Sequence, residues 1–159
     1  MYDRLIEILQ SQLELYNRLL ESARKKKVFI INNNLEALRK ATSDENNLVG
    51  GLQRLERERE ALVLNLAKQL CIPLNGLTLV ILINQINDPF VKKRLSELRI
   101  RMRDDMDELK AINEQNKALI NQSLEYIDFT MNLLRSSVSG PVYAGAEEIH
   151  GQVFFDARG

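Results

Sequence analysis

The chain has 159 residues, 45% of them apolar and 28% charged, with 22 basic side chains balanced by 22 acidic ones. That length suits one domain with a substantial core, and a formal net charge of +0 gives no electrostatic footing for nucleic-acid phosphates or an anionic membrane surface. The single cysteine, Cys71, and single histidine, His150, leave no internal disulfide and no Cys/His spacing of a metal site.

The opening segment MYDRLIEILQ carries charges at Asp3, Arg4 and Glu7, which interrupt the apolar run a secretory signal needs. The longest apolar stretch, LTLVILI at 77–83, falls far below the roughly 18 residues of a membrane helix. The expectation is a soluble, cytoplasmic protein in a reducing compartment, with no stable membrane insertion, no nucleic acid, and another protein as partner.

Three prolines, Pro73, Pro89 and Pro141, divide the chain into helical pieces and a tail. A stripe of Leu5, Ile8, Leu15, Leu19, Ala23 and Ile30 predicts a first helix over 3–31, with Asp3 as its cap. RKKK at 24–27 falls in its last two turns, where cations interact favourably with the helix dipole, and reads as a solvated face. Asn33 or Asn34 caps a second helix over 34–71, whose Leu48, Leu52, Leu55, Leu62, Leu66 and Leu70 keep a heptad spacing broken only at Arg59. Within it, RLERERE at 54–60 offers pairs such as Arg54 with Glu58 and Glu56 with Arg59 along an exposed face.

After CIPLNG comes the short apolar run, and then Asp88 caps a last helix with Pro89 in its first position. Val91, Leu95, Leu98, Met102, Met106, Leu109, Ile112, Asn116, Leu119, Ser123, Ile127 and Leu134 form one seam that carries this helix to about residue 135. The polar members Asn113, Asn116 and Ser123 are expected to fix register, as a buried Asn does in a coiled coil.

At 1.5 Å per residue the three long helices measure about 43, 57 and 70 Å. Run up, down and up, the first stops short of the lower end of the second, and LTLVILINQI is placed to plug that gap. At the other end the last helix passes the INNN turn near Tyr126 and carries Ile127, Phe129, Met131, Leu133 and Leu134 beyond it. Each such side chain forgoes about 1.5–3 kcal/mol by staying in water, so this end is expected to meet a partner. A bend in the bundle, a folded-back tail or a homodimer would cover it equally well.

The tail SSVSGPVYAGAEEIHGQVFFDARG is broken by Gly, Ser and Pro and is expected to be mobile. Its Tyr143, Ile149, Val153, Phe154 and Phe155 are spaced either as a linear motif that orders on binding or as stray apolar residues in an inert extension. Enzymatic chemistry has little footing: His150 lacks a fixed partner, and no glycine loop cradles a phosphate. Arg59, with Arg94 or Arg99, could line an anion pocket, but an arginine on a seam more often lays its stem on the core and sends its head to water. The fold expected is therefore all-α: an elongated antiparallel helical bundle, or coiled coil, of three long helices plus one short one over 1–137, followed by a mobile tail over 138–159. No enzyme activity, cofactor or metal is expected.

The segments RLIEILQSQLELYNRLLE, NNLEALRKATSDENNLVGGLQRLERERE and LKAINEQNKALINQSLEYIDFTMNLL together resemble the flagellar export chaperones of the FlgN family over nearly the whole chain. PVYAGAE is similar to that family's tyrosine-containing segment, with Tyr143-Ala144-Gly145 where Tyr-Gly is usual. The resemblance implies a cytoplasmic, non-enzymatic chaperone of the flagellar type III export system. Such a protein binds the helical ends of hook-filament junction (hook-associated) proteins, prevents their premature assembly and brings them to the export gate. Combined with the projecting apolar end of the last helix, it leads to the expectation that Leu124, Ile127, Phe129, Met131, Leu133 and Leu134 hold cargo and that Tyr143 docks at the gate, with no nucleotide or other cofactor. Before cargo binds, it is compatible with a monomer or a weak homo-oligomer. The competing expectation is a coiled-coil scaffold or adaptor that dimerises through the last helix.

Overall fold

The computed structural model of the chain describes residues 1–138, which form four helices and no strand: α1 (Asp3–Ile31), α2 (Leu35–Gln69), α3 (Leu79–Asn84) and α4 (Pro89–Val138). The all-α expectation holds, with three long helices and one short one. The chain divides into two compact units, Met1–Asn116 and Lys117–Gly159, and the division falls inside α4.

Local chemistry sets each helix end. In the Asn32-Asn33-Asn34 turn the three asparagines do three different things. Asn32 closes α1, donating its N–H to the Val28 carbonyl, and Asn33 takes the left-handed conformation at φ 54°, which Asn tolerates better than most residues. The Asn34 side chain then accepts from the Ala37 N–H at 3.2 Å and caps α2. The end of α2 repeats the first part of this pattern: Cys71 is left-handed at φ 54°, and the Ile72 N–H returns to the Ala67 carbonyl at 2.8 Å before Pro73 blocks continuation. Thr78 caps α3 by accepting from the Ile81 N–H. Asp88 Oδ1 accepts from the Phe90 and Val91 N–H groups at 2.9 and 3.2 Å, with Pro89 first in α4 as expected. Asp3 is not a cap. Tyr2 occupies that position, its carbonyl accepting from the Ile6 N–H, and makes no side-chain cap bond. Asp3 is left in the first turn, where its charge still suits the dipole.

In the Met1–Asn116 unit, α1 and α2 run antiparallel. Their cross-links pair Arg4 with Glu58, Gln12 with Glu56, and Lys26 with Glu45, so numbers rise along one helix and fall along the other. The α4 segment of this unit runs parallel to α1: Leu5 shares a core with Leu95 and Leu98, Arg24 pairs with Glu108, and the buried Asn116 donates Nδ2 to the Ala23 carbonyl at 2.9 Å. Asn116 thus ties the register as expected. Asn113 is instead exposed, and Ser123 bonds the Leu119 carbonyl of its own helix.

The main core lies where α1 begins, α2 ends and α4 begins. Leu5, Leu9, Val63, Leu66, Ala67, Ile72, Leu95 and Leu98 are all buried there, and Leu82 and Ile83 of α3, with Ile86 just after it, close the cluster. The LTLVILINQI segment is a core plug. On the expected heptad of α2 only Leu66 is buried, and Leu48, Leu52, Leu55, Leu62 and Leu70 are half-buried. Before Val63, α2 has no buried residue at all.

A polar cluster spans α1 and α2. Gln12, 1% exposed, donates Nε2 to Glu56 Oε2 at 2.9 Å, and Arg59 grips both carboxylate oxygens from Nε and Nη2. The Arg59 hydrogen bonds, with help from Gln12, hold the Glu56 carboxyl below its usual range, and burial pushes the nearby Tyr16 phenol up. Glu56 and Arg59 therefore join the helix interface rather than an exposed face, and Glu58 reaches Arg4 instead of Arg54. The 24–27 basic run is likewise more than a solvated face. Arg24 clamps α4 and Lys26 clamps α2, leaving Lys25 to pair with Glu21 of its own helix.

The first half of α2 reads ATSDENNLVGG over 41–51. Thr, Ser, Asp, Asn, Val and Gly are poor helix formers, and together these residues cost about 5 kcal/mol relative to alanines. Gly51 faces Leu15, and a Cβ there would stand 3.4 Å from Leu15 Cδ1, an ordinary van der Waals contact.

Two outcomes follow for stability. Leu95→Ala removes a fully buried side chain and is expected to lower the unfolding free energy by about 3 kcal/mol, whereas Leu134→Ala, at a 54% exposed position, changes it by under about 0.5 kcal/mol. Urea titration followed by circular dichroism separates the two. For Glu56 the folded pKa is depressed, so its stabilising contribution is fully present above the ordinary value of 4.5. That contribution is lost as pH falls below 4.5 and through the folded value. With the side chain 43% exposed, solvent screening keeps the loss to about 1 kcal/mol or less. Stability of the parent relative to Glu56→Gln, measured from pH 7 down to pH 3, should shrink across that window.

Candidate functional interface on the C-terminal half of the last helix

Within the Lys117–Gly159 unit the described part is the α4 segment 117–138. Asn116 is buried, and none of residues 117–137 is. Yet this stretch is rich in large apolar side chains and holds only Lys117, Glu125, Asp128 and Arg135 as charges, two of each sign. A continuous helix with this composition presents an apolar surface rather than an ionic one.

Helical geometry sorts the candidate residues into two sets. Ile120, Leu124, Ile127, Met131 and Leu134 follow one another at intervals of four, three, four and three. This is a heptad seam, and at about 100° per residue they share an arc of about 80°. Leu124, Ile127 and Leu134 are 55%, 50% and 54% exposed, and Met131 is half-buried. Phe129 and Leu133 are as exposed, at 60% and 54%, but they stand about 140–180° around the helix from Leu124. Tyr126 shares their side. The six residues expected to hold cargo therefore do not make one surface: four lie on the seam and two on the opposite face. Ile120 is the seam member that sequence reasoning missed. The 3.5-residue period of 120, 124 and 127 was the signal for it.

Polar side chains beside the seam need nothing from a partner. Thr130 Oγ1 donates to the Tyr126 carbonyl at 2.9 Å and Ser137 Oγ to the Leu134 carbonyl at 2.9 Å, as Ser123 does to Leu119. Such hydroxyls are satisfied by their own helix, so an apolar partner can lie against the seam without stranding a buried donor.

Other chemistry is sparse. Among the described residues no group of three His, Cys, Asp or Glu is placed to hold a metal ion, and no helix is long and apolar enough to cross a membrane. Cys71 is exposed. Of the arginines considered for an anion pocket, Arg59 is engaged by Glu56, Arg94 is exposed and Arg99 is half-buried. His150 and Tyr143 lie outside the described residues, as does nearly all of the predicted tail.

The family model described as FlgN protein matches residues 1–147. No curated protein and no solved structure matches the chain significantly. A match that takes in all four helices, α4 with its exposed heptad seam included, places this chain in the FlgN family of flagellar export chaperones.

Proposed function

We propose that this chain is a cytoplasmic chaperone for flagellar hook-filament junction proteins, which it binds through α4, keeps from premature assembly and delivers to the export gate. The observation that carries this reading is the exposed heptad seam Ile120, Leu124, Ile127, Met131 and Leu134. Proteins that later assemble through helical ends expose amphipathic helices beforehand, and a partner helix with a matching seam is the natural cover for them. Fully burying an aliphatic side chain contributes roughly 1.5–3 kcal/mol. With the seam already half-withdrawn from water, about 5 kcal/mol remains to be gained, which suits a releasable complex more than a permanent one. Neither a nucleotide nor a metal has a part in this scheme. Tyr143 acts in docking the loaded chaperone at the gate.

A coiled-coil adaptor that dimerises through α4 is the second reading, favoured by the same seam, since a strict 4-3 spacing suits self-pairing as well as pairing with cargo. Light scattering of the chain alone discriminates: a stable dimer supports the adaptor, and a monomer that forms a complex with junction proteins supports the chaperone.

Ile127→Asp with Leu134→Asp is expected to weaken binding of a purified junction protein about 100-fold without altering the helical signal of the free chaperone. Phe129→Asp with Leu133→Asp, on the other face, should change affinity less than about threefold. Equal losses from both pairs, read by titration calorimetry, would show that cargo wraps the helix rather than lying along its seam. Tyr143→Ala should leave cargo affinity unchanged and reduce secretion of junction proteins into the medium. A drop in affinity instead would move Tyr143 from the gate to the cargo site.

A further inference from the structure

α2 is built from two unlike halves. Its C-terminal half is anchored several times over: Val63, Leu66 and Ala67 are buried, Glu56, gripped by Arg59 of its own helix, accepts from Gln12 of α1, and Glu58 reaches Arg4. From Leu35 to Gly51 no residue is buried, although Leu38, Ala41 and Leu48 are half-buried, and two of the contacts with α1 can be named. One is the Lys26–Glu45 pair at 2.6 Å, with each side chain only 16% exposed; the other is Leu15 against Gly51. The intervening sequence is the weakest helix former in the molecule. Where the halves meet stand two consecutive glycines, and at Gly50 an added Cβ would meet nothing within 4 Å, so packing does not demand that glycine. Conformational freedom is what it supplies.

We propose that residues 35–51 of α2 form a strap that opens from α1 by local unfolding, pivoting at Gly50–Gly51 and latched by Lys26–Glu45, while 52–69 stays docked. Opening uncovers the α1 line that runs from Leu15 through Leu19, which is buried at rest, to Lys26. The molecule then holds apolar surface in reserve, covered by a segment whose release leaves the main core around Leu5, Leu66 and Leu95 intact. This device is independent of how α4 is used. Helical segments with few buried contacts and weak intrinsic propensity open at far lower free energy than the global transition.

Hydrogen–deuterium exchange of the full chain under native conditions, read by mass spectrometry, tests it. Amides of 38–51 should show protection factors at least about tenfold below those of 60–69. Gly50→Ala should raise protection of 38–51 about fivefold and leave 60–69 unchanged, whereas Lys26→Gln should lower protection of 38–51 alone. A single protection level across both segments would overturn the strap, as would a Gly50→Ala effect spread equally over 38–51 and 60–69.

Discussion

A six-residue helix holds the core shut. α1 begins, α2 ends and α4 begins around Leu5, Leu66 and Leu95, and helices of 29, 35 and 50 residues cannot all end at one level. Leu82 and Ile83 of α3, with Ile86, fill the space this mismatch leaves, and all three are buried. Their placement rests on two caps, Thr78 at the start of α3 and Asp88 at the start of α4, set 10 residues apart in a segment with no room for a longer element. Everything that the long helices present elsewhere depends on this closed end, because it contains nearly all of the fully buried aliphatic surface.

Polar groups then decide how the helices align. An apolar stripe alone tolerates slippage by a turn, whereas a buried amide that must find a carbonyl does not. Asn116 finds Ala23, and Gln12 finds the Glu56–Arg59 pair. Each leaves one buried oxygen, Asn116 Oδ1 and Gln12 Oε1, without a protein partner. A cost of this kind at both sites is the mark of residues that specify an arrangement at the expense of raw stability.

Helix number, order and extent were legible because proline, asparagine and aspartate mark the ends, while the Gly50–Gly51 pair lies inside α2 without ending it. Pro89 after Asp88, and the asparagines at 32–34, carry their own geometry. Asp3 misled for a local reason: a good cap residue stands one position inside a helix that starts at an uncapped Tyr2. The α4 seam was legible as far as Asn116, apart from Met106, which is exposed, and partners on α1 fix its inward face. Beyond it, apolar composition was read without its angular order, and so Phe129 and Leu133 were grouped with residues on the other side of the helix. Pairings such as Glu58 with Arg4, or Lys26 with Glu45, span 54 and 19 residues of sequence, and no local spacing rule points to them.

The continuity of α4 has a kinetic meaning. Starting an isolated helix is the expensive step, since several residues must be fixed before one hydrogen bond repays them, while each further residue adds a bond at little cost. In α4 that first step is already taken by the segment packed around Leu95 and Leu98, so residues 117–138 are helical by extension from a docked nucleus. Under the proposed function, an incoming chain would meet a template whose backbone is already helical. If α4 holds a partner as proposed, the ordering entropy of that encounter falls on the incoming chain, whose first helical turn could nucleate against a helix already formed rather than in open solvent.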